Sequence, residues 1–131
     1  MIKYTMSGSN DHDHFQRLCD SIFAISPNIR FVGIIDKMGR LVAGGMRKNI
    51  ESMESKEDSS KLYIEFALTT NMRKDFDAEF GKTIYSYSER EKIKLASFPL
   101  NDHFLRVSIE KKEPYHKKII ENILNVIKNE K

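Results

Sequence analysis

Few side chains in this sequence are of the kinds that do chemistry, and their spacing narrows what they can do. The densest group is Asp11-His12-Asp13-His14. Carboxylate and imidazole ligands suit a divalent cation such as zinc. Histidines two apart cannot share one face of a helix, so this run could chelate only from an unwound end. The expectation is a charged helix start, and no metal ligand is assigned. The single cysteine, Cys19, excludes an internal disulfide and any multi-cysteine zinc ribbon. It falls on an apolar helical stripe, where a thiol is expected to be buried and inert rather than reactive. His103 stands beside Asn101 and Asp102 and reads as a turn residue; His116 lies among lysines and reads as solvated. Tyr85 and Tyr87 alternate on a strand and share a face, which suits packing or a dimer contact better than stacking on nucleic-acid bases. Arg73, Lys74, Asp75, Asp77 and Glu79 read as a set of surface ion pairs. The chain has no phosphate-binding Gly-x-x-x-x-Gly-Lys-Ser/Thr or Gly-x-Gly-x-x-Gly and no Gly-x-Ser-x-Gly elbow. No arrangement places a nucleophile near a base. The expectation is therefore a protein that is not an enzyme, with no catalytic residue and no cofactor.

The charge balance is mild: 22 Lys and Arg against 19 Asp and Glu give a formal charge of +3. Nucleic-acid binding needs several converging cations. The one basic concentration is Lys111, Lys112, Lys117, Lys118, Lys128 and Lys131, diluted by Glu113, Glu121 and Glu130. A solvated helix face is the plainer reading, and nucleic acid is an unlikely partner. The apolar runs are short, such as Ile22-Phe23-Ala24-Ile25, so no membrane span is expected. The N-terminal residues lack the apolar core of a signal peptide, which points to a cytoplasmic protein.

These residues need elements to position them. Residues 1–10 read as a flexible arm and 11–131 as a single domain, and a chain of 131 residues is long enough to bury a core. A helix over 11–25 follows from Phe15, Leu18, Cys19, Ile22 and Phe23. Residues 29–36 and 41–46 read as a hairpin around Asp36-Lys37-Met38-Gly39, with Gly44-Gly45 marking a bulge or a close backbone approach. After a polar loop at 47–57, with Ser55 as helix cap, a long helix covers 57–79. It carries two apolar stripes: Leu62, Phe66 and Thr69, then Ile64, Leu68, Met72 and Phe76. A surface helix needs only one. Gly81 ends it. Strands are expected at 82–88, 92–98 and 103–110, and a last helix at 114–129 with Pro114 in its first turn. The order α-β-β-α-β-β-β-α means an α+β domain, one five-stranded antiparallel sheet with helices packed on it.

This order resembles the roadblock (dynein light chain) domain, a profilin-like module, over residues 11–129. The stretch Asn28-Ile29-Arg30-Phe31-Val32-Gly33-Ile34-Ile35-Asp36-Lys37-Met38-Gly39-Arg40-Leu41-Val42-Ala43-Gly44 looks like the first hairpin of such domains. Residues 31–47, Met72-Arg73-Lys74-Asp75-Phe76-Asp77 and Ser97-Phe98-Pro99-Leu100 also resemble a family of small uncharacterised proteins of ammonia-oxidising archaea. The roadblock resemblance implies a homodimer in which central helices pack together and third strands pair. It implies an interface of Tyr63, Ile64, Phe66, Leu68, Met72, Ile84, Tyr85 and Tyr87, and a small GTPase-like protein as partner. The sequence itself supports the same surface, because the doubly apolar helix and the weakly charged 82–88 strand both invite cover. The functional expectation is a non-enzymatic regulatory or scaffolding module. Two alternatives stand: a PAS-like small-molecule sensor, suggested by the small residues Gly33, Ala43, Gly44 and Gly45, and weak nucleic-acid binding through the C-terminal lysines.

Overall fold

A computed structural model describes residues 4–129, with side chains from His12 onward. The chain runs through α1 (Tyr4–Phe23), β1 (Ile29–Asp36), β2 (Leu41–Met46), α2 (Lys56–Arg73), a 3-10 turn (Lys74–Phe76) and α3 (Asp77–Phe80). It continues through β3 (Ser86–Glu89), β4 (Ile93–Leu100), β5 (His103–Glu110) and α4 (His116–Asn129). The strands form one antiparallel sheet in the order β2-β1-β5-β4-β3. The α+β architecture is thus the expected one, although the helical backbone of α1 begins at Tyr4 rather than at residue 11.

One face of the sheet carries the core. Leu18, Cys19 and Ile22 from α1 and Ile119, Ile120 and Ile123 from α4 close over Val32, Ile34, Ala96, Phe98, Leu105 and Val107. The β1–β2 hairpin has the expected bounds. The Asp36 carboxylate accepts from the backbone N–H of Met38 (2.9 Å) and Arg40 (3.0 Å), and Gly39 takes φ +85°. Of the two alternatives at Gly44, close approach is what occurs: a Cβ there would stand 2.1 Å from the Val32 carbonyl and 3.0 Å from Cys19 Sγ. The register shift lies elsewhere, between the Ile34–Ala43 and Ile35–Leu41 pairs, where Val42 of β2 is the extra residue.

Several boundaries depart from expectation for local reasons. The 57–79 helix tightens into a 3-10 turn at Lys74–Phe76 and resumes as α3. Ser55 caps α2 by accepting from Asp58 N (3.1 Å), and Gly81 closes α3 at φ +80° with its N–H on Asp77 O (2.8 Å). β3 is only four residues, so Ile84 and Tyr85 precede it. Its ladder pairs Ser86 with Ser97; two steps further on, β4 offers Pro99, which has no N–H for a ladder. Pro114 is not in the first turn of α4. Tyr115 is the cap, its carbonyl accepting from Ile119 N (3.1 Å).

Two polar clusters fix where the helices meet the sheet. Arg47, in the polar segment that follows β2, closes the end of α1. Its guanidinium donates to the carbonyls of Phe23 (2.8 Å), Ser26 (2.7 Å) and Ile29 (2.7 Å) and lies 4.9 Å over the Phe23 ring. These include the orphan carbonyls that every helix end leaves. Glu113 performs the same service before α4. Its carboxylate accepts from Asn28 Nδ2 (2.9 Å), Tyr115 N (2.8 Å) and Ser26 Oγ (3.4 Å). Lys94, buried beside it, donates to the Glu113 carbonyl and lies 3.0 Å from His116 Nδ1. An ammonium only donates, so Nδ1 is the acceptor in this contact. His116 is therefore not the solvated side chain expected: its ring is stacked on Tyr87 at 4.7 Å and it is half-buried.

Replacing Arg47 with Met should lower unfolding free energy by about 2–3 kcal/mol in urea titrations, because three carbonyls lose a charged donor. Glu113 gives a pH signature. The hydrogen bond from Asn28 first, then that from Tyr115 N, hold its carboxyl below the usual carboxylate range. A depressed folded-state pKa stabilises the fold above the unfolded-chain value of about 4.3. That contribution is lost as pH falls through the folded value. Thermal unfolding of Glu113→Gln should start lower at pH 7 and show a shallower loss of Tm on acidification below pH ~4.

Candidate functional site

The second face of the sheet has a single cover, α2, and α2 covers it thinly. Only Ala67 of α2 is buried. Tyr63 lies against Phe31 with the rings near parallel at 6.1 Å, and Phe66 meets Phe104 edge-on at 5.6 Å. The β1–β2 turn abuts the same helix, since a Cβ on Gly39 would stand 2.6 Å from Ile64 Cα. The opposite side of α2 faces outward: Ile64 is 48% exposed, Leu68 59% and Met72 67%, and the stripe continues through Phe76 (56%), Phe80 (83%) and Ile84 (69%).

The two stripes of this helix are thereby assigned. Phe66 and Tyr63 are turned to the sheet, and Ile64, Leu68 and Met72 are turned away. Tyr85 lies 6.2 Å from the Phe98 ring and Tyr87 stacks on His116, so both tyrosines are on the α4 side of the sheet. Tyr87 also donates to Glu89, which Lys111 holds from the other side.

Between α2 and the sheet lies a cleft of about 510 Å³. Phe31, Tyr63, Phe66, Leu95, Arg106 and Ser108 are among its walls. Arg106 is half-buried in β5, its guanidinium 5.6 Å from the Phe66 ring, and among the described residues it has no hydrogen bond or ion pair. Burial lowers its pKa, against the pull of Tyr63 and Glu54. A second cleft of about 570 Å³ opens between Lys74, Ile84, Phe104, Leu124 and Ile127. Arg106 alternates with the buried Leu105, Val107 and Ile109 on β5 and so stands on the face that α2 covers.

The other candidate residues are placed as follows. Cys19 is fully buried, and desolvation, with Asp20 adding, pushes its thiol up to about 12. His12 Nδ1 lies 3.2 Å from the Val42 carbonyl and the His14 ring 5.8 Å from that of Phe15; the Asp11 side chain lies outside the described residues. Among the described residues no three His, Cys, Asp or Glu side chains gather where an ion could sit. His103 opens β5 with its ring 4.8 Å from Phe15. Arg73 reaches Ser86 Oγ (3.3 Å) and Lys74 lies 5.8 Å over the Phe104 ring, rather than pairing with the acids beside them. Of the C-terminal lysines, Lys111 pairs with Glu89 and Lys118 with Glu121 (3.9 Å); Lys131 lies outside the described residues. Among the described residues no helix is long and apolar enough to cross a membrane.

Comparison with known proteins agrees with the fold. Myxococcus xanthus MglB superposes with a TM-score of 0.66 at 15% identity, covering 98% of this chain and 91% of MglB. A Roadblock/LC7 domain from Streptomyces avermitilis gives 0.64 at 8% identity, covering 87% and 92%. Profilin from Schizosaccharomyces pombe gives 0.57 at 11% identity, covering 87% and 96%. At these identities the likeness concerns the fold. None of the curated proteins matches the chain in sequence. A family model described as a family of unknown function, DUF6659, matches residues 9–129. The chain belongs to the DUF6659 family and has a roadblock/profilin-like fold.

Proposed function

We propose that the protein is a non-enzymatic interaction module, regulatory or scaffolding in role, that acts as a homodimer through the outer face of α2. The observation that carries this reading is the exposed apolar stripe Ile64, Leu68 and Met72, with Phe76 and Phe80 exposed beyond it. Fully burying such side chains is worth about 1.5–3 kcal/mol each. Several together offset much of the roughly 4–15 kcal/mol that association costs. A second copy is the natural cover, because one apolar helix face on a two-fold axis is complementary to itself. The short edge strand β3 supports the same assembly, as its outer side carries no strand. Ile84 and Tyr85, which precede β3, are exposed next to it. The roadblock resemblance adds a small GTPase-like protein as the class of partner such a dimer would regulate, and a cytoplasmic setting for it.

Sedimentation velocity over a concentration series tests the proposal. The wild-type chain should sediment as a dimer at tens of micromolar and above, and a monomer throughout would overturn it. The two stripes separate in variants. Leu68→Asp should yield a folded monomer with unchanged far-UV circular dichroism. Phe66→Asp should instead destabilise the domain by about 2–3 kcal/mol, since it places a carboxylate against the sheet.

A further inference from the structure

We propose that the cleft under α2 is a binding site for a small organic anion, with Arg106 as the group that holds its charge. The inference is independent of the assembly, because the cleft lies on the sheet side of α2 and the stripe on the other. A half-buried guanidinium with no hydrogen-bonded counter-ion is costly to keep. Arginine cannot shed its charge to escape that cost. Within the described residues its one short contact is the face of Phe66, and Tyr63, Glu54 and Glu65 act on it only from a distance.

The register of the sheet shows why the guanidinium stands free. Arg106 lies opposite Gly33 on β1 and Ser97 on β4, two residues too small to cover it. The Phe31 ring folds over Gly33, where a Cβ would come within 2.4 Å of Phe31 Cζ. That ring and Tyr63 build one aromatic wall, and Leu95 adds an aliphatic one. The Ser108 hydroxyl is part of the same lining. Arg30, which also lines the cleft, is paired with Glu110 (3.1 Å), yet its Nε is buried with no partner. With Arg30 met by Glu110, the lining still has Arg73, Arg90 and Arg106 against Glu54 and Glu65, an excess of one positive charge. A volume of about 510 Å³ is within the range of small-molecule sites, roughly 300–1,000 Å³. The ligand class that fits is an aromatic or apolar body bearing one carboxylate, sulfonate or phosphate.

The test uses 8-anilinonaphthalene-1-sulfonate as an anionic aromatic probe and N-phenyl-1-naphthylamine as its neutral counterpart, each titrated into the full chain by fluorescence. The wild type should bind the sulfonate at one site per chain and prefer it over the neutral dye by about tenfold or more. Arg106→Met should remove that preference while leaving Tm at or above the wild-type value. If Arg106→Met does not fold, Arg106→Lys carries the test, since it keeps the charge and loses the planar fork, and it should bind the sulfonate more weakly. Equal binding of both dyes by the wild type would overturn the proposal. So would sulfonate affinity unchanged in the folded variant, which would place the dye on the outer stripe instead.

Discussion

A five-stranded sheet has two faces to cover, and this chain distributes its helices unequally between them. α1 and α4 close one face with a continuous layer of Leu18, Cys19, Ile22, Ile119, Ile120 and Ile123. The other face receives α2 alone, and α2 buries only Ala67. Apolar side chains are therefore left in two places. Some stand between α2 and the sheet, loosely filled, and others stand exposed on the far side of α2. The cleft and the outer stripe are both consequences of this one shortage of cover.

The well-covered face is held rigid by polar groups rather than by apolar packing alone. Arg47 ties the end of α1 to the start of β1, and Glu113 ties that same loop to the start of α4. Lys94 and His116 extend the tie to β4 and, through Tyr87, to the edge strand β3. These bonds hold both helices and both ends of the sheet in one frame. α2 is tied to that frame by little buried surface, since only its Ala67 is buried.

Much of the architecture was legible because it rests on local chemistry. The Asp36–Gly39 turn, the Ser55 cap, the Gly81 stop and the bounds of β1, β2 and β5 all follow from residue types at fixed offsets. The doubly apolar character of the central helix was legible too, but not which stripe faced the sheet. That depends on the tertiary rotation of α2, which Phe31 and Phe104 set from strands distant in sequence. The same limit hid Arg106, whose isolation depends on the cross-strand neighbours Gly33 and Ser97. It also hid Arg47, Lys94 and His116, which look like surface residues until distant carbonyls and rings are brought to them. β3 was overestimated because the missing N–H of Pro99 matters only once the two strands are in register.

The claim at the centre of this account is that the outer face of α2 is covered in solution by a second copy. Thiol labelling reads this directly, because the native Cys19 is fully buried and leaves a low background. With Leu68 replaced by Cys, labelling at residue 68 should be slow at high protein concentration and become fast on dilution. The same fast rate at every concentration would contradict the account, since it would mean that this face stays open to solvent.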